Sequence, residues 1–330
     1  MAADDNAGFP ARDDRQENLF SRGALPILRQ AMLRPPAPYA LDLTAVALAR
    51  FPRLLNRWDG VTYRRLFVVD CAFVALAVQQ QGPTTDPLLL LTFTGPRQVA
   101  PVVLDRLVGY VVRMLGAADA IAPFLTVAAH DPVIGPLTRA LPGLRLFRKS
   151  NVIEEVIVNI LAQQISLPFA YQCKARLVAA YGPRLTVGGT TRYALPTPAI
   201  LATITPEAVR PLLISRQKAA ALRAFGEAVT SGALDLAVLP HMSDADAIAT
   251  LTSVRGIGPW TAQWTLGRTL GRGHIVPVGD VGVQAMLGHA YGLDRKMTPD
   301  EVRHWADGWG EHALLAAAYL IAGTWRGLVS

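Results

Sequence analysis

The stretch Leu251-Thr-Ser-Val-Arg255-Gly256-Ile257-Gly258-Pro259-Trp260-Thr261-Ala262 constrains this chain more than any other segment. It reads as one helix ending, a tight Gly-x-Gly turn and a second helix beginning. Gly256 and Gly258 are both free to take positive φ, and neither carries a Cβ that would hold a phosphate away. Pro259 suits the first turn of the second helix, where a missing N–H costs nothing. The amides ahead of that helix lack intrahelical partners, and its dipole favours negative charge there. Such a hairpin can hold a nucleic-acid backbone without reading sequence. About twenty residues on, Val276-Pro-Val-Gly-Asp280-Val-Gly-Val presents one carboxylate from an otherwise apolar loop. Each feature has a plainer reading: an interhelical turn for the glycines, and an N-cap for the helix that starts at Val281. Their order and spacing favour the joint reading.

Composition narrows the partner and the compartment. The chain has 330 residues, a formal net charge of +7 and 51% hydrophobic residues. That is enough apolar material for two or three cores, and the basic balance suits an anionic partner. No apolar run reaches the ~18–20 residues needed to span a bilayer, so nucleic acid is a more economical partner than a membrane. Residues 1–17 are charged and lack an apolar centre, which excludes a secretory signal there. Cys71 and Cys173 are the only cysteines. A disulfide framework is not expected, and the default is a reduced compartment, read as cytoplasmic. The six histidines show no paired ligand spacing, so no zinc site is expected.

Along the chain, residues 1–37 are polar and then Pro-rich, and read as a mobile tail. Residues 38–120 read as a small α+β domain. Phe67-Val-Val, Phe73 to Val78 and Leu88 to Phe93 are strand-like, and apolar residues from Val99 to Leu115 return at helical spacing. Residues 121–330 read as helix after helix. Ser150-Asn151-Val-Ile-Glu154 and Thr298-Pro299-Asp300-Glu301 have the form of capping boxes. Gly182-Pro183 and Gly188-Gly189 are breaks. The expected class is α+β: an antiparallel-sheet domain, then a helical body of two lobes. The first lobe is expected over about 121–240, with the second following it and a cleft between them.

The hairpin and acid together resemble the helix-hairpin-helix DNA glycosylases, whose pattern is Gly-x-Gly-x-x-Thr-Ala with a catalytic Asp downstream. Gly256, Gly258, Thr261, Ala262 and Asp280 meet it. The likeness extends to Ile160-Leu-Ala-Gln163-Gln164-Ile165-Ser166, to Pro196-Thr197-Pro198, to Ser215-Arg216-Gln217-Lys218 and to Met297-Thr-Pro299 with Trp305 and Trp309. Asp59-Gly60-Val-Thr-Tyr63-Arg64-Arg65 is similar to the N-terminal domain of longer members. Residues 38 to 325 are covered, and the combination is most similar to the alkylation-repair branch, the DNA-3-methyladenine glycosylases of type II.

The resemblance implies double-stranded DNA with damaged bases as the partner, and a monomer. Arg255, Gly256, Ile257, Gly258 and Thr261 would grip one phosphate, and Ser215, Arg216 and Lys218 a second. Gln163 or Gln164 would fill the vacated stack, and Trp260, Trp264 and His312 would line the base pocket. Ring-nitrogen alkylation makes a purine cationic, and an indole face attracts cations. Asp280 would stabilise the oxocarbenium-like sugar. Bifunctional relatives carry a Schiff-base lysine where this chain has Trp260, which implies hydrolysis without strand cleavage. Two cysteines cannot hold the four-thiolate iron–sulfur cluster of some relatives. No cofactor is implied beyond a monovalent cation at the hairpin carbonyls. The rival readings are a glycosylase for deaminated or oxidised bases and a non-catalytic DNA-binding protein; an acid facing DNA argues against the latter.

Overall fold

The computed structural model describes residues 25–49, 54–149, 151–187 and 189–329. Its N-terminal part is a five-stranded antiparallel sheet of order β1-β5-β4-β3-β2. The strands are β1 (Ile27–Leu33), β2 (Asn56–Trp58), β3 (Thr62–Val69), β4 (Ala72–Gln81) and β5 (Leu88–Thr94), with helix α1 (Leu41–Ala49) between the first two. Strand alternation sends Val74, Leu76 and Val78 to one face, where they are buried. Helix α2 (Pro101–Met114) covers that face with Val103, Leu104, Leu107, Val111 and Met114. Asp70 and Cys71 join β3 to β4 with φ of 48° and 60°, the left-handed pair that a two-residue hairpin turn requires.

The assignment of residues 25–37 to a tail is corrected here. Residues 1–24 lie outside the described residues, but Ile27–Leu33 pairs along β5 as an edge strand. Its polar and apolar residues follow the pattern of a strand with a largely exposed face, which composition alone makes look like tail.

The helical body contains α3 (Ala122–Ala128), α4 (Ile134–Ala140), α5 (Val152–Ala162), α6 (Leu167–Tyr181), α7 (Pro198–Ala202), α8 (Pro206–Val209), α9 (Arg216–Thr230), α10 (Asp244–Thr252), α11 (Pro259–Leu270), α12 (Val281–Ala290), α13 (Pro299–Trp309) and α14 (Ala313–Trp325). A small hairpin of β6 (Arg184–Val187) and β7 (Thr190–Tyr193) interrupts it. The caps follow the sequence. The Asn151 side chain accepts from the Glu154 amide at 2.8 Å, and Thr298 with Glu301 forms a full capping box.

Two cores fill the body, and they divide the chain differently from the expected order. One is built from α5 to α10. The other joins α3 and α4 to α12, α13 and α14, through Phe124, Ile134, Leu137, Val283, Val302, Leu314 and Tyr319. The second lobe is therefore discontinuous in sequence. Apolar periodicity marks which face of a helix is buried, not which neighbour buries it. Helix α11 belongs to both cores: Ala262 and Leu266 pack in the first, and Trp264 in the second.

A buried charge fastens the sheet to the body. Glu154, fully buried near the start of α5, accepts from Arg65 Nη2 of β3 at 2.8 Å and from Lys174 Nζ of α6 at 2.6 Å. Burial alone would raise its pKa, but Arg65, Lys174 and Lys149 hold it well below the usual carboxylate range. Its folded-state pKa is thus lower than its unfolded one. The resulting stabilisation is complete above the unfolded carboxylate range and is lost as pH falls towards the folded value. Glu154→Gln should destabilise the protein by about 3–5 kcal/mol, because two buried cations lose their counter-charge. Urea unfolding at pH 7 measures this; a change under about 1 kcal/mol would show that the network is not a fastening.

Candidate active site

Asp280 sits at the end of a short turn, with its amide bonded to the Pro277 carbonyl at 2.9 Å. Its carboxylate takes three N–H donors. Trp260 Nε1 donates to Oδ2 at 2.7 Å and Trp264 Nε1 donates to the same oxygen at 2.9 Å. The Val283 amide donates to Oδ1 at 2.9 Å, so Asp280 is also the N-cap of α12. The N-cap reading of this residue holds, and the cap leaves Oδ2 to the two indoles. The cap fixes the carboxylate and the indoles aim it, while the residue stays partly exposed. Oδ1 keeps a lone pair that no donor fills among the described residues. Gly282 leaves that oxygen open, since a Cβ there would lie 3.1 Å from it. Gln284 holds the loop from behind: its buried side-chain amide donates to the Val278 carbonyl at 2.9 Å.

The indoles differ. Trp264 is 4% exposed and carries the Arg268 guanidinium over its ring, 3.8 Å from the centroid. One of its two faces is therefore occupied by a cation of the protein itself. Trp260 is only partly buried. His312, in the 3-10 turn Gly310–His312, meets the Phe124 ring edge-on at 5.9 Å, beside Trp309 and Tyr319. It shares that aromatic group and makes no hydrogen bond to Asp280.

The hairpin separates the roles of its two glycines. Gly256 has φ of +88°, and a Cβ on it would lie 2.3 Å from the Ala221 Cβ of α9. Gly258 has φ of −98°, so it does not use its freedom to take positive φ. A Cβ there would meet nothing within 4 Å. Its neighbours' amides matter instead: those of Gly258, Trp260 and Thr261 find no acceptor among the described residues. Arg255 is exposed. Ile257 and Thr261 point inward, at 4% and 1% exposure, so they can offer a phosphate only backbone.

Of the second phosphate group, Ser215 caps α9 by accepting from the Lys218 amide, and Arg216 is exposed. Lys218 is corrected: its ammonium turns inward and donates to the Leu161 carbonyl at 2.6 Å, closing the C-terminal end of α5. Burial lowers its pKa. The glutamines also separate. Gln163 Nε2 donates to the Gly256 carbonyl at 3.0 Å, tying α5 to the hairpin. Gln164 is exposed, holds φ of +59°, and its side chain makes no hydrogen bond among the described residues.

Comparison with known proteins gives the family of this chain. Residues 157–311 match the model of the HhH-GPD superfamily base excision DNA repair proteins. A DNA-3-methyladenine glycosylase of Bacillus subtilis is 30% identical over 222 residues, covering 67% of this chain and 72% of that protein. The chain belongs to the HhH-GPD superfamily. DNA-3-methyladenine glycosylase 2 of Escherichia coli is 30% identical over 179 residues, 53% of this chain and 59% of that one. The fold is shared with the 3-methyladenine DNA glycosylase of Archaeoglobus fulgidus, at a TM-score of 0.75 and 21% identity over 90% of this chain and 99% of that chain.

Residues that sequence reasoning passed over lie around Asp280 and its indoles. Asn159 Nδ2 reaches the Thr261 carbonyl at 3.5 Å, and Arg268 and Gln284 sit behind the acid. The Trp264–Arg268 spacing of four was a legible signal for one shared helix face.

The two glycines give a direct check. Gly256→Ala should cost about 2 kcal/mol or more through the Ala221 clash and the strained φ. Gly258→Ala should stay within about 0.5 kcal/mol. Thermal unfolding of both variants reads the difference, and equal losses would overturn the division of roles.

Proposed function

We propose that this protein is a monofunctional DNA glycosylase that hydrolyses the N-glycosidic bond of alkylated purines flipped out of a duplex. The observation that carries the reading is the Asp280 carboxylate, held by two indoles and a backbone amide beside a hairpin with free amides. Mere phosphate binding has no use for an oriented carboxylate there.

The chemistry follows from these parts. The hairpin amides, with the α11 dipole behind them, hold the DNA backbone without reading bases. Flipping a nucleotide costs a few kcal/mol. Gln164, unlike the tethered Gln163, is free to enter the vacated stack and bond the orphaned base. Its left-handed φ costs about 1 kcal/mol, strain that a functional position can carry. Trp260 is the indole with a face left for a cationic base. As the glycosidic bond lengthens, Asp280 stabilises positive charge on the sugar, and its open Oδ1 orients the attacking water or takes its proton. Alkylated purines leave readily because departure neutralises the ring, so one carboxylate and a shaped site suffice. The relatives named DNA-3-methyladenine glycosylases support this substrate class.

The lysines support hydrolysis over Schiff-base chemistry. The sequence holds four: Lys149, Lys174, Lys218 and Lys296. Lys149 is bonded to the Tyr171 hydroxyl, Lys174 to Glu154 and Lys218 to a helix-end carbonyl. Lys296 lies beyond α12. The motif position of the nucleophilic amine is Trp260, whose N–H faces Asp280.

Asp280→Asn keeps an acceptor for the Val283 amide but sets a neutral group against the sugar. Single-turnover excision should fall roughly 100-fold or more while duplex affinity holds. Normal excision by the folded variant would refute the assignment. Borohydride added during turnover should trap no protein–DNA adduct. An adduct that disappears in Lys218→Met would identify a lyase amine and overturn the monofunctional reading.

A further inference from the structure

The carboxylate is held by Trp264, and Trp264 is itself held. Arg268 lies one helical turn along α11, its guanidinium carbon 3.8 Å from the indole centroid. The same guanidinium faces Glu155 Oε1 at 3.5 Å. Glu155 is fully buried near the start of α5. Asn159 Nδ2 approaches the same oxygen at 3.4 Å, and Oε2 has no partner among the described residues. A buried carboxylate with a half-met hydrogen-bond complement is costly, and it weakens rather than strengthens an ordinary core. The backbone of Arg268 is fixed too, since its carbonyl accepts from the Lys149 amide at 2.9 Å.

We infer that Arg268 is a positioning residue for the reaction: stacked on Trp264 and held by Glu155, it sets the plane of that indole so that its N–H stays on Asp280 Oδ2. The inference rests on the proposed role of Asp280. An indole anchored only by packing can swing its N–H by rotation about χ2. A planar cation on its face opposes that rotation and draws electron density from the ring, which makes the N–H a better donor. Trp260 shares the acceptor, but it is less buried and has no cation on its face among the described residues. The second donor is therefore the one that a buried ion pair fixes. Glu155 lies in the first turn of α5, next to Glu154, so the junction of sheet and body and the acid are linked through one helix start.

Two measurements on the full chain test this. The first needs no activity. In protein labelled with ¹⁵N at tryptophan, the Trp264 indole N–H resonance, assigned by its loss in Trp264→Phe, should shift in Arg268→Met and shift less in Arg268→Lys. Lysine keeps a charge beside Glu155 but cannot stack as a plane. An unchanged resonance in both variants would overturn the inference whatever the enzyme does. The second is a double-mutant cycle in single-turnover excision of a methylated duplex. Arg268→Met should lower the rate roughly 10-fold, the lower end of what loss of an outer partner costs at other polar centres. Affinity for undamaged duplex should stay unchanged. Combined with Asp280→Asn it should add nothing further, because its effect passes through that carboxylate. An equal loss in both backgrounds would mark Arg268 as a packing residue and overturn the inference. If Arg268→Met does not fold, Arg268→Lys carries the same cycle, with a smaller loss expected in the parent background and none beside Asp280→Asn. Failure of the wild type to release any base would instead sink the glycosylase reading, leaving the resonance test standing.

Discussion

Everything about this site hangs on the two indole N–H groups of α11 meeting one oxygen of Asp280. In the proposed reaction one helix carries both halves of the chemistry: the amides of its first turn meet a phosphate, and Trp260 and Trp264 in its first two turns clamp the acid. The spacing is set by covalent geometry: residues four apart lie on one face, about 6 Å along the axis. Because α11 also packs Ala262 and Leu266 in one core and Trp264 in the other, the clamp is fixed to both lobes. A displacement of either lobe must pass through it.

Around that clamp, the structure tolerates buried charge wherever units meet. Glu154 joins the sheet to α5 and α6, and Glu155 joins α5 to α11. Arg145, fully buried, is bonded to the carbonyls of Pro36 and Gly143, and the Thr44 hydroxyl receives its amide. Such groups contribute less to stability than apolar side chains of equal volume would. They do specify geometry, because a charged pair has one good arrangement where an apolar contact has several. Their concentration at junctions, rather than within one core, fits the proposed reaction, in which Asp280 must be located relative to a separate lobe.

Much of this was legible in the sequence, for local reasons. Gly256, Pro259 and Asp280 are dictated by turn and cap chemistry, and the Thr298–Glu301 box and the Gly182 break act within a few residues. What could not be read depends on contacts between distant segments. Strand β1 looked like tail because its identity rests on pairing with β5. The second lobe looked continuous because nothing in α3 or α4 names α12 to α14 as neighbours. Lys218 looked like a phosphate ligand until the Leu161 carbonyl, 57 residues earlier, was seen to receive it. Of the two hairpin glycines, only Gly256 uses its freedom of φ; Gly258 supplies open space. Trp264 was expected to line the base pocket, and one of its faces already meets Arg268.

The proposed reaction is hydrolysis of the bond between sugar and alkylated base beside an oriented carboxylate. Its most direct test is a duplex carrying one N-methylated purine, incubated with the protein and separated by liquid chromatography with mass detection. The expected products are free methylated base in solution and an equal yield of intact strand with an abasic site that breaks only in alkali. Tight binding of that duplex by folded protein, with no base released at any enzyme excess, would contradict it and leave a DNA-binding protein in its place.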